Sequence, residues 1–370
     1  MDGKYLEAVG TIVGTIVGAG ILALPFAISK SGFLIGLALI IVVGVSSIFI
    51  TLYTGELSFK LKKIHQLPIL ISRYTSARLR SMVLSLQVFV IYGAIFAYLI
   101  AMGISLQYVL GVPYDISIFL VFALSAPVIY NGYKAVEAAE TPLSIIKILL
   151  ILIVSIVIMF SAKAANLGTL QPHNVLAPFG VILFALMSFT VVPEVREELG
   201  NKPEHFNKVV IIGTVISMAV YILFAAAFIG AFGQGVSSIA TNSINSGAYT
   251  ILFYILTIFL VITPYIALSL VVVDAFNFDF RLDRTKSFWL AVLVPFVLAL
   301  VGANFASVLG VVGGILLPIL SLMILIAVYY ERKRFGISRI YRVPGGSAAL
   351  IFTAAVMLVG FIYTLSYVIL

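Results

Sequence analysis

Cysteine is missing altogether from this chain of 370 residues, so neither a disulfide framework nor a thiolate metal site is open to it. Charge is scarce as well, at 10% of residues against 62% hydrophobic ones. That balance leaves too little polar surface to cover a globule in water, and it excludes a soluble domain in favour of a bilayer. Histidine occurs 3 times, as His65, His173 and His205, always in an expected loop. Every carboxylate lies at or near the end of an apolar run, and only Glu7, Glu56 and Asp274 stand where they could reach inward. A buried carboxylate relay or metal centre is therefore not expected, nor any cofactor. This argues against an intramembrane hydrolase or a metal-dependent prenyl-transfer enzyme.

The charge that is present is lopsided, with a net value of +8. The basic residues sit in short loops between apolar runs rather than on one soluble face, so a nucleic-acid partner is excluded and membrane lipid is the expected surrounding. Met1 to Lys4 is short for a signal-peptide leader and no small-residue cleavage site follows, so the first apolar run is read as a retained helix. Marking every apolar run of about 20 residues gives eleven expected spans in an all-α integral membrane protein. Their limits are Tyr5 to Ser29, Gly32 to Ser58, Ser81 to Gly111, Ile116 to Tyr130, Pro142 to Ser161, Ala177 to Glu197, Lys208 to Phe232, Ala248 to Phe276, Lys286 to Val301, Phe305 to Tyr330 and Ala348 to Leu370. Two long stretches are split, one at Val112-Pro113-Tyr114-Asp115 and one at Gly302-Ala303-Asn304, because each carries turn chemistry and is long enough for two helices.

Loop charge supports that count. With a cytoplasmic N-terminus, the inside loops hold Lys60, Lys62, Lys63, Arg73, Arg78, Arg80, Lys134, Arg196, Lys202, Lys208, Arg281, Arg284, Lys286, Arg332, Lys333, Arg334, Arg339 and Arg342. The outside loops hold only Lys30 and Lys163. This bias is what the positive-inside rule demands, and it is lost if either long stretch is a single span. The expected product is a multi-pass protein of the cell membrane with its C-terminus outside.

Many secondary transporters are two inverted halves with helices broken at matching positions. Five spans from Tyr5 (residues 5–161) and five from Ala177 (residues 177–330) form such a pair, since an odd number per unit inverts the second, and residues 348–370 add an eleventh helix. Both first helices carry a break signal. In the first, Gly10, Gly14 and Gly18 are spaced for a close-packing face. Gly20 and Pro25 lie off that face, however, and with Gly18 they permit unwound backbone, which a bilayer tolerates only where it is buried or lines a cavity. In the sixth helix, Pro193 frees carbonyls near Phe189 that Ser188 and Thr190 can satisfy, whether as a simple kink or as a true break.

These segments resemble a known family. The run Gly14-Thr15-Ile16-Val17-Gly18-Ala19-Gly20-Ile21-Leu22-Ala23-Leu24-Pro25 is similar to the first-helix signature of the amino acid/auxin permease family, which includes aromatic and hydroxy amino acid permeases. Phe184-Ala185-Leu186-Met187-Ser188-Phe189 with Val192-Pro193-Glu194 resembles its sixth-helix segment. Glu197-Glu198-Leu199-Gly200-Asn201-Lys202-Pro203 is similar to an acidic Asn-Pro segment of the wider amino acid, polyamine and organocation superfamily. The resemblance implies a leucine-transporter-type (LeuT-type) fold of 5+5 inverted repeats plus an eleventh helix, a free amino acid as substrate, and a binding site between the broken helices.

In such a site the amides of Gly18, Ala19 and Gly20 would take the carboxylate, and carbonyls near Thr15, Ile16, Met187 and Ser188 the ammonium. Val17 and Ile21 complete the unwound run, and Thr190 stands beside the second break. Phe184 and Phe189 would cover the side chain, unless they face lipid. Of the third-helix aromatics Tyr92, Phe96 and Tyr98, Tyr98 has the right depth, though a tyrosine packed against a local partner is the alternative. The site holds no fixed charge, so a neutral substrate, small to aromatic, is expected.

Lys147 stands about two turns into the fifth helix among apolar residues. It either snorkels to the interface or places an ammonium where a sodium ion would sit against the first and eighth helices. Proton-coupled superfamily members resemble the second arrangement, and a buried lysine gives up its proton more readily than a solvated one. The eighth helix offers Thr263 and Ser269 as central hydroxyls, with Thr257 further out and no adjacent hydroxyl pair. Proton-coupled symport is favoured, with a sodium-coupled symporter or an exchanger as alternatives. A channel would need a polar filter that the spans lack, and a structural protein would not need two broken helices.

Overall fold

The computed structural model describes residues 3–132, 134–200, 202–244, 248–335 and 341–369, without the side chains of 134–142, 144, 248, 249 and 335. Met1, Asn201, Arg339 and Leu370, and the side chains of Lys134, Pro142 and Ala248, named above, lie outside that description.

Among the described residues all regular secondary structure is helical. In order come α1 (Gly3–Ile16), α2 (Leu24–Ser29), α3 (Phe33–Phe59), α4 (Leu67–Tyr74), α5 (Leu79–Leu110), α6 (Tyr114–Asn131), α7 (Lys134–Met159) and α8 (Ala164–Leu167). Then follow α9 (Phe179–Leu186), α10 (Val192–Glu198), α11 (Pro203–Phe232), α12 (Ala248–Asp274), α13 (Arg284–Val301), α14 (Phe305–Val311), α15 (Leu317–Phe335) and α16 (Gly346–Ile369). Among the described residues 9 helices are long and apolar enough to cross a bilayer, or 10 when the pair Gly3–Ile16 and Ala19–Ser29, bent by 41°, is one span. α7 lies where the fifth span is expected, with Ile145–Met159 as its described apolar part.

Both long stretches divide where turn chemistry was read. α5 stops at Gly111, whose φ of 68° is the left-handed cap that glycine adopts without strain, and α6 begins at Tyr114. α13 ends at Gly302 (φ 76°), and α14 starts on Asn304, whose side chain accepts from the Ser307 amide. At the start of α13 the Lys286 amide donates to Asp283, which holds that carboxyl below its usual range.

Burial identifies the centre of the bundle. The span Phe179–Glu198 is largely buried and Gly346–Ile369 mostly exposed, so the sixth span lies near the centre and the last is peripheral. Helices approach that centre through glycine. A Cβ on Gly180 would stand 2.1 Å from the Gly310 carbonyl oxygen, and one on Gly313 would stand 1.9 Å from that of Gly180, so α9 meets the π-helical turn Val312–Leu316 backbone to backbone. In lipid such close approach, through dispersion rather than hydrophobic burial, holds helices together. The expected Gly10 face is not of this kind, because a Cβ there meets nothing within 4 Å. α1 instead inserts Ile12 against Gly213 of α11.

At the end of the bundle rich in basic residues, Glu56 is 1% exposed and is held by Arg332 through two bonds of 2.9 and 2.7 Å and by the Val343 amide at 3.0 Å. Lys60 lies 3.6 Å from Glu56 and pairs with Glu331 of α15. Arg196 of α10 donates to the carbonyls of Ser58 and Leu61. The one deeply placed glutamate in α3 is thus spent on joining α3 to α15, since a buried carboxylate persists only when its charge is met.

Candidate substrate site between two interrupted helices

The first span is interrupted at Val17 and Gly18. α1 ends at Ile16, Gly18 is extended (φ −110°, ψ −159°), and a 3-10 turn over Ala19–Ala23 leads into α2. The sixth span is interrupted at Met187 and Ser188, followed by a 3-10 turn over Phe189–Val191 and then α10. Pro193 corrects the expectation that it causes this break. It occupies the first turn of α10, as Pro25 does in α2, where a missing N–H costs nothing.

The carbonyls freed by the interruptions are served by side chains far away in sequence. Tyr221 of α11, fully buried, brings its hydroxyl to the Ile16 carbonyl and, at 3.0 Å, to that of Ala185. Ser47 donates to the Leu186 carbonyl at 2.5 Å, and Thr51 and Ser188 share a 3.0 Å hydroxyl bond. Of these, Tyr221, Ser47 and Thr51 were not picked out from sequence. A hydroxyl in an apolar span is the one signal that was available.

A cavity of about 170 Å³ opens at the two interruptions. It brings together Thr15, Ile16, Gly18, Ala19, Gly20, Tyr98, Phe184, Met187, Phe189 and Thr190, all expected site residues. Val17, Ile21 and Ser188 are buried and do not line it. Residues missed by sequence reasoning complete the wall: Gln87, Val90, Ile91 and Ala94 from α5, Ala185 from α9, Leu268 from α12, and Leu317 and Leu320 from α15. Phe184 and Phe189 thus face the cavity rather than lipid. Tyr98 is 5% exposed, and among the described residues its hydroxyl has no hydrogen-bond partner, so the alternative of a locally satisfied tyrosine is not what the structure holds.

Donors in the cradle divide unevenly. The Gly18 amide is already bonded to the Ile16 carbonyl at 2.7 Å, which removes it from the expected carboxylate site. Ala19 and Gly20 open the 3-10 turn, so their amides have no partner within it. Thr15 turns its hydroxyl back to the Thr11 carbonyl at 2.8 Å. The cavity also has a direction. From Tyr98 to Gln87 is about 16 Å along α5 at about 1.5 Å per residue, toward the end that carries Lys60, Arg73 and Arg332. At the opposite end the turn Ala240–Ser243 packs on Ala19–Ala23 and α2, with Ala240 and Thr241 buried and Thr241 bonded to Thr257.

Lys147 is 7% exposed and its ammonium bonds to Thr263 of α12, while its neighbours Ile145 and Leu149 are 58% and 53% exposed on the outer face of α7. The side chain points into the bundle and does not snorkel. Ser269 does not join this pair, because its hydroxyl is bound 2.7 Å from the Tyr265 carbonyl one turn back in its own helix.

The backbone matches known transporters at low sequence identity. A crystal structure of the Eremococcus coleocola manganese transporter, in complex with an aromatic bis-isothiourea substituted compound, aligns with a TM-score of 0.69 and 13% identity over 97% of this chain and 86% of that one. A histidine-to-alanine mutant of the same transporter aligns at 0.66 and 14% over the same shares. These likenesses concern the fold alone. No curated protein matches the sequence. The tryptophan/tyrosine permease family model matches residues 1–366, so the chain belongs to that family and is a multi-pass membrane transporter, not an enzyme.

Proposed function

We propose that the protein is a proton-coupled secondary transporter of aromatic amino acids, working by alternating access with a 5+5 inverted-repeat core. The observation that carries this reading is the single cavity walled by both interruptions. Free amides of Ala19 and Gly20 suit a carboxylate, the unpartnered Tyr98 hydroxyl offers a further hydrogen bond, and Phe184, Phe189 and Leu320 give an apolar surround with no fixed charge. A neutral aromatic zwitterion fits that set, and the family's description names two such substrates. Lys147 on Thr263 supplies a protonatable group between α7 and α12, with α7 also touching α1.

Purified protein in liposomes is expected to take up L-tryptophan and L-tyrosine saturably, to reject the D-isomers, and to be driven by an inward proton gradient without sodium. Linear ion conductance, or uptake that requires sodium and ignores pH, would sink the proposal.

On the proposed orientation the N-terminus and the basic end of the bundle are cytoplasmic, so the cavity faces inward. Cysteines placed at the exposed Ser76 and Ser161 are expected to react with an impermeant maleimide from opposite sides, Ser76 from the cytoplasm, on a background free of native thiols. Labelling of the Ser76 position from outside overturns the orientation.

A further inference from the structure

The two interrupted helices converge on one oxygen atom. Ile16 closes α1, and Ala185 lies one residue before the end of α9. Both carbonyls reach the hydroxyl of Tyr221, a fully buried residue of α11, and α11 packs on α1, α2 and α9 together. Carbonyls at a helix C-terminus carry the negative end of its dipole. Where unwound backbone and half-helix ends present such carbonyls in a transporter, the usual partner is a monovalent cation. Here the partner is a neutral phenol.

The donor count closes without a cation. Tyr221 has one proton for two acceptors, and the Gly18 amide provides a second donor to the Ile16 carbonyl at 2.7 Å. Ser47 of α3 serves the next carbonyl of α9, that of Leu186. Among the described residues the donors to these three carbonyls are hydroxyls and one amide.

We infer that the Tyr221 hydroxyl takes the place of a coupling cation between the two interruptions, holding them in register and making substrate binding independent of sodium. The inference rests on the cavity being an amino-acid site. Tyr221 itself does not face the cavity. It acts through the carbonyls of Ile16 and Ala185, whose residues form part of the wall, and is therefore a positioning residue.

The test is direct binding of L-tyrosine and L-tryptophan to the purified full-length protein, in sodium chloride and in choline chloride. Wild-type dissociation constants are expected to agree within about twofold between the salts. Tyr221→Phe keeps the ring and removes the donor, and it is expected to bind at least about tenfold more weakly in choline while its thermal midpoint without substrate stays near wild type. Ser217→Ala, one turn earlier on α11 with a hydroxyl bonded only within its own helix, should bind as wild type. Wild-type binding that tightens severalfold in sodium, or Tyr221→Phe binding as wild type in choline, overturns the inference while leaving the cavity an amino-acid site. Wild-type protein that binds neither amino acid in either salt removes both. The wild-type salt comparison needs no variant, so it decides the cation question even where Tyr221→Phe fails to fold.

Discussion

Gly20→Val is expected to reach the membrane in normal amount and to lose detectable binding and uptake of aromatic amino acids. Gly20 lies in the turn Ala19–Ala23, directly against the second interrupted helix. An added Cβ would stand 3.1 Å from both the Cα and the Cβ of Ala185 and 3.5 Å from the Phe184 ring. The obstacle on one side is backbone, so relief requires α9 to retreat from α1 and α2 at the level where the cavity lies. Overpacking of this kind costs about 1–3 kcal/mol, small enough for the fold to survive. A cradle built on the amides of Ala19 and Gly20 does not survive such a shift, and the branched methyls also intrude on substrate volume. Gly10→Val is the matched control. Its Cβ meets open space, and near-normal uptake is expected. Measuring surface expression, thermal shift with L-tryptophan, and uptake for both variants separates the outcomes; near-normal uptake by Gly20→Val would remove the main residue-level support for the site.

Lys147→Ala is expected to abolish uptake driven by a pH gradient while leaving L-tyrosine binding within about tenfold, the effect of about 1.4 kcal/mol. The lysine lies away from the cavity wall and touches Thr263, so it bears on the relation between α7 and α12 and not on substrate contacts. Exchange of internal for external amino acid, which needs no net proton movement, should persist in the variant. Loss of exchange together with driven uptake would show that Lys147 merely holds the bundle together, and wild-type uptake that requires sodium and ignores pH would discard the coupling role.

Ten of the eleven expected spans, counting the bent first pair as one, and the division of both long stretches were legible because length, hydropathy and glycine caps are local properties. The first interruption was legible for the same reason, since Gly18 sits at it. The second was ascribed to the wrong residue. Pro193 drew attention as a kink, yet proline at a first helical turn is unstrained, and it marks where α10 resumes rather than where α9 stops. Met187 and Ser188 carry no local signal of a break, because what stabilises it comes from Ser47, Thr51 and Tyr221. Distance also hid much of the wall. Leu268, Leu317 and Leu320 look like any other apolar residues of a span, and only the packing of α12 and α15 turns them toward the cavity. The glycine spacing of α1 misled in the opposite sense, since Gly10 faces open space while Gly20, outside the pattern, makes the tight contact.

The knot of charge around Glu56 bears on how the chain acquires its orientation. Lys60, Arg196 and Arg332 count toward the basic loops that set the proposed topology, yet in the finished bundle they are 10%, 3% and 17% exposed and turned on internal partners. Loop charge acts while helices are being inserted, before α3 and α15 have met. On the proposed topology the same three side chains serve in succession, first as labels read by the membrane and later as internal fastenings. The positive surface left for lipid headgroups is correspondingly smaller than a count of lysines and arginines implies.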